Sequence, residues 1–388
     1  MSRPESTGAT LELTRQLVAI QSHSDAPGRE AAIAEFLVRW LVQRGIEARR
    51  QPVVGKRANV IARVPGSGGP GLLLNGHLDT VPGGAMHDPF SPRLDAGLLW
   101  GRGTCDMKGA VAAMCVALSR LARRDVPLSG DVVFAGTVDE ETGSLGVKAL
   151  VESGVPCAAA IIGEPTGLRV AIAHKGSIFV RITLVGRAAH GSVPEEGVNA
   201  ATHAAAVATA IETQLAPRLA TRTHPLLGRS TVSIGRLCGG TQPNIVAARC
   251  EIDVDRRVLP GETGTIDELR DVVAAHCHGV PGLSYELSEL PMTAAVPHVP
   301  LATDPEAPVA RAALDACSAL GLPSDPVGVT YWTDGGHLAA SGIPTVVMGP
   351  GDIRNAHGPD ERVPVEELHQ ASELYLLVAE SLLARSAN

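Results

Sequence analysis

Apolar residues in the first half of the chain follow two rhythms. Residues 7–20 carry them at helical spacing. A stronger stripe runs over residues 29–44, with Ile33, Phe36, Leu37, Trp40 and Leu41 on one face and Gly45 placed to stop the helix. Short runs dense in Val, Leu and Ile predict strands over residues 47–54, 59–64, 71–75, 132–138 and 158–162. Residues 81–99, rich in Gly and Pro, read as a loop, and residues 110–123, small or apolar almost all round, as a buried helix. Strands alternating with helices imply an α/β fold around a largely parallel sheet. In such sheets ligands gather beyond the carboxyl ends of the strands.

From about residue 175 the pattern changes. Strands over residues 178–185, 231–237, 247–255 and 283–287 alternate with helices over 199–214 and 264–276. That β-α-β-β-α-β order predicts a smaller α+β domain inserted into the larger one. After a Pro-rich stretch the larger domain resumes with a helix over 306–320, a loop over 331–337, a strand over 345–348 and a last amphipathic helix over 365–384. The expected division is residues 1–175 and 289–388 for the larger domain and 176–288 for the insert. No internal repeat or low-complexity tract interrupts it.

Composition narrows the class. At 388 residues, 45% hydrophobic and 19% charged, the chain has material for two domains and a sizeable core. The formal net charge of -8 leaves no basic patch for nucleic acid and argues against anionic membranes. No signal peptide and no membrane-spanning run is visible. The 7 cysteines are scattered and odd in number, without CxxC spacing. Reduced thiols in the cytoplasm are expected.

Chemistry collects at predicted strand ends. Residues 71–74 lead into Gly76-His77-Leu78-Asp79, and a strand ending in His-x-Asp presents both side chains on one side. Asp106, Glu140, Glu141, Glu164 and His357 follow other predicted elements. So many acids and imidazoles at one sheet edge would repel one another unless cations held them. Histidine with carboxylates and no cysteine suits a catalytic, zinc-like site, and one carboxylate can bridge two metals. In the Glu140-Glu141 pair, one acid can ligate while the other serves as general base. A solvated acidic turn is the plain alternative for that pair taken alone.

The stretches GHLDTVP, GRGTCDMKGA, TVDEETGSLG, GEPT, GRAAHGSVPEEGVNA and AHGPDE occur in the order and spacing of a known family. The chain resembles the acetylornithine deacetylase, succinyl-diaminopimelate desuccinylase, aminoacylase and carboxypeptidase-G family of co-catalytic metallo-hydrolases, from about residue 10 to 380. The resemblance implies a zinc-peptidase-like catalytic domain with a mixed, mostly parallel sheet and an inserted dimerisation (lid) domain. It implies two divalent ions per chain, zinc first with cobalt or manganese as substitutes. His77 and Glu164 would hold one ion, Glu141 and His357 the other, with Asp106 bridging. Glu140 matches the general base and Asp79 the carboxylate that orients His77. His190 matches a histidine that reaches the partner subunit's active site and stabilises the oxyanion. Asn244 and Arg257 resemble positions that bind the substrate carboxylate, a task for which arginine's planar fork is suited. A surface ion pair is the alternative for Arg256 or Arg257.

The implied activity is hydrolysis of the amide of an N-acyl amino acid, by a water activated between the metals, in a homodimer. A dipeptidase, a glutamate-type carboxypeptidase or a desuccinylase would use the same residues. Desuccinylases carry a Ser-Asp-Gly-Arg-like loop where this chain has Thr333-Asp334-Gly335-Gly336, and the missing arginine weakens that assignment. His337 reads as a partly exposed loop or helix-start histidine, with a substrate contact as the alternative, and His174, His276 and His278 read as structural. Cys105 lacks the base and oxyanion hole a nucleophile needs, and no GxSxG is present. A metal-free binding protein would require a lost ligand, and none is missing.

Overall fold

The computed structural model describes residues 3–125, 128–154 and 156–384. They form two compact units: one comprises His174–Pro300 with Thr330–Trp332, the other the remaining described residues.

In the larger unit the main sheet runs Glu47–Val54, Arg57–Val64, Gly130–Thr137, Gly69–His77, Ala159–Ile162, Thr345–Val347, Ala171–His174 and Leu301–Ala302, with Val327–Val329 also paired to Ala171–His174. The sheet is mixed. Gly130–Thr137, Gly69–His77, Ala159–Ile162 and Thr345–Val347 pair in parallel, whereas Arg57–Val64 and Ala171–His174 join this block antiparallel. Leu72, Leu73 and Leu74 are all fully buried, as expected for a strand covered on both faces. Helix Lys108–Leu121 covers one face and is itself packed against helices Arg3–Ala19 and Val365–Leu382. Its alanines allow this burial on nearly every side. On the other face Val147, Leu150 and Leu338 pack on Leu73, Val133 and Ile162.

Several short elements had no sequence signature. The segment read as a loop over residues 81–99 contains the strand Arg93–Asp95, which forms a three-stranded sheet with Leu98–Trp100 and Arg362–Pro364. Three residues are too few for a periodicity to register. Helix Leu145–Glu152 is equally inconspicuous.

The smaller unit has a four-stranded antiparallel sheet in the order Thr231–Gly239, Arg249–Val258, Gly176–Val185, Ser284–Glu289. Burial alternates along Arg249–Val258, so each strand has one wet face and one dry face. The dry face (Val180, Ile182, Leu184, Ile252) packs on Ala204 and Val207 of helix Ala200–Ala210 and on Leu269 and Val273 of helix Thr265–Cys277. The wet face carries cross-strand ion pairs, Arg181 to Asp253 at 2.7 Å and Arg236 to Glu251 at 2.8 Å. No helix among the described residues is long and apolar enough to cross a membrane.

Candidate metal centre

Parallel pairing brings strand ends together, and the polar residues follow. His77 closes its strand opposite Thr137, the last residue of the neighbouring one. Glu140 and Glu141 lie in the turn just past Thr137, and Glu164 lies two residues past Ile162. Glycine precedes both His77 and Glu164 for a steric reason. A Cβ on Gly76 would come within 2.8 Å of Met107 Cε, and one on Gly163 within 2.7 Å of the same atom. The start of helix Lys108–Leu121 is therefore pressed directly under the two strand ends.

His77 Nδ1 lies 3.0 Å from the backbone carbonyl of Asp79 and 3.6 Å from its carboxylate. A carbonyl can only accept, so Nδ1 carries a proton and Nε2 is left to face the cluster. Nε2 meets Asp106 Oδ1 at 2.9 Å and Glu164 Oε1 at 3.5 Å. The other oxygen of Asp106 lies 3.2 Å from His357 Nε2, which is also 3.0 Å from Glu141 Oε1. Asp106 thus spans two imidazoles. The Asp79 carboxylate accepts the backbone N–H groups of Glu140 (3.2 Å) and Glu141 (2.9 Å), so it fixes the acidic turn as well as lying beside His77.

Burial raises the Glu140 and Glu164 carboxyls well above the usual range, and the neighbouring acids add to it against the pull of His77. Burial opposes ionisation of Asp106 too, but its bonds to His357 and His77 hold it below the ordinary value. Those to Asp106 and Glu141 lift His357 to about 10. Burial opposes a charged His77, yet Asp106 and Asp79 hold it well above the usual imidazole value. Each imidazole aims a nitrogen at acceptors only. A cation in that position would let the neutral ring donate its lone pair and let the acids ionise. Among the described residues two triplets, His77–Asp106–Glu141 and His77–Glu140–Glu164, have ligand atoms within 4.8 Å of one another. The donors are imidazoles and carboxylates without a thiol, a set that fits divalent zinc-like ions.

A model of peptidase family M20/M25/M40 matches residues 73–381. The chain belongs to this family. Acetylornithine deacetylase of Proteus mirabilis is 35% identical over 94% of this chain and 94% of its own length. The aminopeptidase PepT of Bacillus cereus superposes with a TM-score of 0.80 at 24% identity, covering 97% of this chain and 98% of its own. YXEP of Bacillus subtilis, described as a dinuclear metal-binding peptidase of family M20, superposes with a TM-score of 0.73 at 19% identity over 97% and 98%. This M20 protein is accordingly a metal-dependent hydrolase of amide bonds in small substrates.

The smaller unit of the M20 chain holds the remaining sequence-derived candidates. His190 is exposed, and its Nδ1 accepts the Ser192 backbone N–H at 3.2 Å, which leaves Nε2–H as the ring's donor. Asn244 is its neighbour: its carbonyl accepts the N–H of Gly191 at 2.7 Å. Arg257 lies toward the other end of strand Arg249–Val258, eight residues or about 26 Å from Arg249. It pairs with Asp255 at 2.9 Å and lies over the Phe179 ring. Arg256 is buried and paired with Glu262 at 3.1 Å.

Other residues support the M20 site without a signature of their own. Arg57 grips Glu30 through two bonds of 2.6 Å and Asp139 through one of 2.5 Å, anchoring the residue before Glu140. Asp139 has a left-handed backbone, φ 74, and its place beside the Glu-Glu pair was the only hint in the sequence. Asp334 is buried, accepts from Thr137 Oγ1 at 2.8 Å and is pushed up to about 7, chiefly by burial and then by Asp79 and Asp139. Cys105 is also buried, its Sγ 3.3 Å from the Asp352 carbonyl, and burial raises the thiol's pKa well above its ordinary value, so it is no thiolate nucleophile.

Burial lowers His337 to about 4. The unfolded chain binds this proton below about pH 6.5. The stability contributed by neutral His337 is therefore complete above that pH and is lost as pH falls toward 4. A His337→Gln variant should lose about 2–3 kcal/mol less than the unsubstituted protein between pH 7 and 4.5. Denaturant titrations at the two pH values read this, and equal losses would refute it.

Proposed function

We propose that this protein is a deacylase that releases an amino acid from an N-acyl amino acid, with acetylornithine-like compounds as its substrate class and two zinc ions per chain. The observation that carries the two-ion reading is Asp106, whose two oxygens face His77 and His357 separately. The choice of acyl amino acid is supported by the 35% identity with acetylornithine deacetylase.

When bound, the ions supply positive charge that polarises the amide carbonyl and makes water easier to deprotonate. His77 and Glu164 would hold one ion, Glu141 and His357 the other, with Asp106 shared between them. Asp79 holds His77 and the turn of Glu140 and Glu141 in place. Glu140 takes the proton of the attacking water and delivers it to the leaving nitrogen, a role that needs reach of roughly 2.6–3.2 Å. The insert, residues 176–288, forms the homodimer in this reading. His190 of the partner subunit then donates its Nε2–H to the developing oxyanion; Asn244, beside His190, and Arg257, toward the far end of its strand, bind the substrate carboxylate from different subunits.

Zinc- and cobalt-loaded protein should turn over N-acetyl amino acids, N-acetylornithine foremost, faster than N-succinyl amino acids or dipeptides. Preferential cleavage of dipeptides would overturn the deacylase reading and leave a peptidase.

Subunit sharing has its own test. His190→Ala should keep its metals and lose about 2.7–4 kcal/mol of transition-state stabilisation, as when one oxyanion donor is removed. Mixing Glu140→Ala with His190→Ala chains creates dimers with one site carrying both groups, so activity should partly return. A mixture as inactive as its parents, after proven subunit exchange, refutes the shared site.

A further inference from the structure

Two of the loops that carry candidate ligands are joined by a reciprocal clasp of buried charges. Arg102 stands four residues before Asp106, and Glu361 four residues after His357. Their exposures are 2% and 0%. Glu361 Oε1 accepts the backbone N–H groups of Gly103 (2.8 Å), Cys105 (3.0 Å) and Asp106 itself (3.1 Å). Its other oxygen pairs with Arg102 Nη1. Arg102 Nη2 continues to the carbonyls of His357 (3.2 Å) and Gly358 (3.3 Å). Each loop thus sends one charge into the backbone of the other. The atoms held in register by this exchange are Asp106 Oδ2 and His357 Nε2, 3.2 Å apart.

We propose that Arg102 and Glu361 are positioning residues that set the affinity of the second ion, the one shared by Asp106, Glu141 and His357. The inference rests on the two-ion reading above. Asp106 is common to both ions, so selectivity follows from how the unshared ligands are mounted. His77 and Glu164 sit at the ends of paired sheet strands, which hold their place without the clasp. His357 belongs to a loop, is half exposed and has a left-handed backbone, φ 61. Its main chain is tied to the Asp106 loop through Arg102. A neutral amide at position 361 keeps the shape but loses the charge that gathers three N–H groups and a guanidinium. A lysine at position 102 keeps a cation for Glu361 but lacks the fork that also reaches the two carbonyls.

The test titrates metal-free protein, Glu361→Gln and Arg102→Lys with cobalt, followed by calorimetry and by visible absorption of the bound ion. The first equivalent should bind within about 3-fold of the unsubstituted affinity and the second about 10–100-fold more weakly, the range for losing a partner that orients a ligand. Turnover of the variants should recover as free metal is raised through the weakened site. Equal weakening of both equivalents would make the pair a general stabiliser and overturn the proposal, as would two unchanged affinities. Where Glu361→Gln does not fold, Arg102→Lys decides. Failure of both to fold would reduce the pair to a folding requirement and overturn the selective role. If the unsubstituted protein itself takes up a single ion, the two-ion reading fails and the proposal with it. Two ions in that protein with no selective loss in the variants refute the clasp alone.

Discussion

Glu140→Ala protein is expected to purify with its metals in place and to turn over substrate about 10²–10⁴-fold more slowly, the contribution of a positioned general base. Its neighbour should behave in the opposite way. Glu141 is the acid that contacts His357, at 3.0 Å, so Glu141→Ala should lose metal along with rate. The geometry makes this contrast informative, because the Glu140 carboxylate also lies in a triplet with His77 and Glu164. Metal analysis beside kcat separates the roles. If Glu140→Ala loses an ion, Glu140 is a ligand and the base must be sought elsewhere; if both variants keep ions and rate, the pair has been misread.

Asp106→Ala should have the broadest consequence. It removes the carboxylate that faces both imidazoles, and the Glu164 carboxylate that His77 Nε2 still faces is 3.5 Å away. Bound metal should fall below one ion per chain and turnover to roughly 10⁻³ or less of the unsubstituted rate, since ligand and bridge are lost together. Thermal unfolding gives a second readout. Free zinc at 100 times its Kd should stabilise the unsubstituted protein by about 2.7 kcal/mol per site, and the variant by much less. A variant that holds two ions and is stabilised equally would remove Asp106 from the shared position.

The ligand-bearing strands were legible because their physics is local. An apolar run bounded by glycine and ending in a polar residue marks a buried strand whose next side chain leaves the core, and residues 71–77 read that way. The supporting charges were not legible in the same manner. Arg102 and Glu361 are 259 positions apart, and Arg57 and Asp139 are 82 apart. Nothing in either neighbourhood names the partner, and a buried arginine looks in sequence like a solvated one. Asp334 was visible only as part of a loop weighed for a missing arginine, whereas its buried bond to Thr137 depends on how two distant segments meet. Two strands at the far side of the sheet escaped for another reason. Ala171–His174 and Leu301–Ala302 are too short to show a period.

The position of Thr345–Val347 has a consequence for the protein while it is being made. This strand is inserted between Ala159–Ile162 and Ala171–His174, both synthesised long before it. At about 5–20 residues per second, the ribosome needs roughly 10–40 s to travel from the first of these to the filler. Throughout that interval the nascent sheet has an open slot, with the edge of Ala159–Ile162 offering unpaired N–H and C=O groups to any passing strand. The ribosome-bound chain therefore carries this exposed edge until residue 347 leaves the exit tunnel.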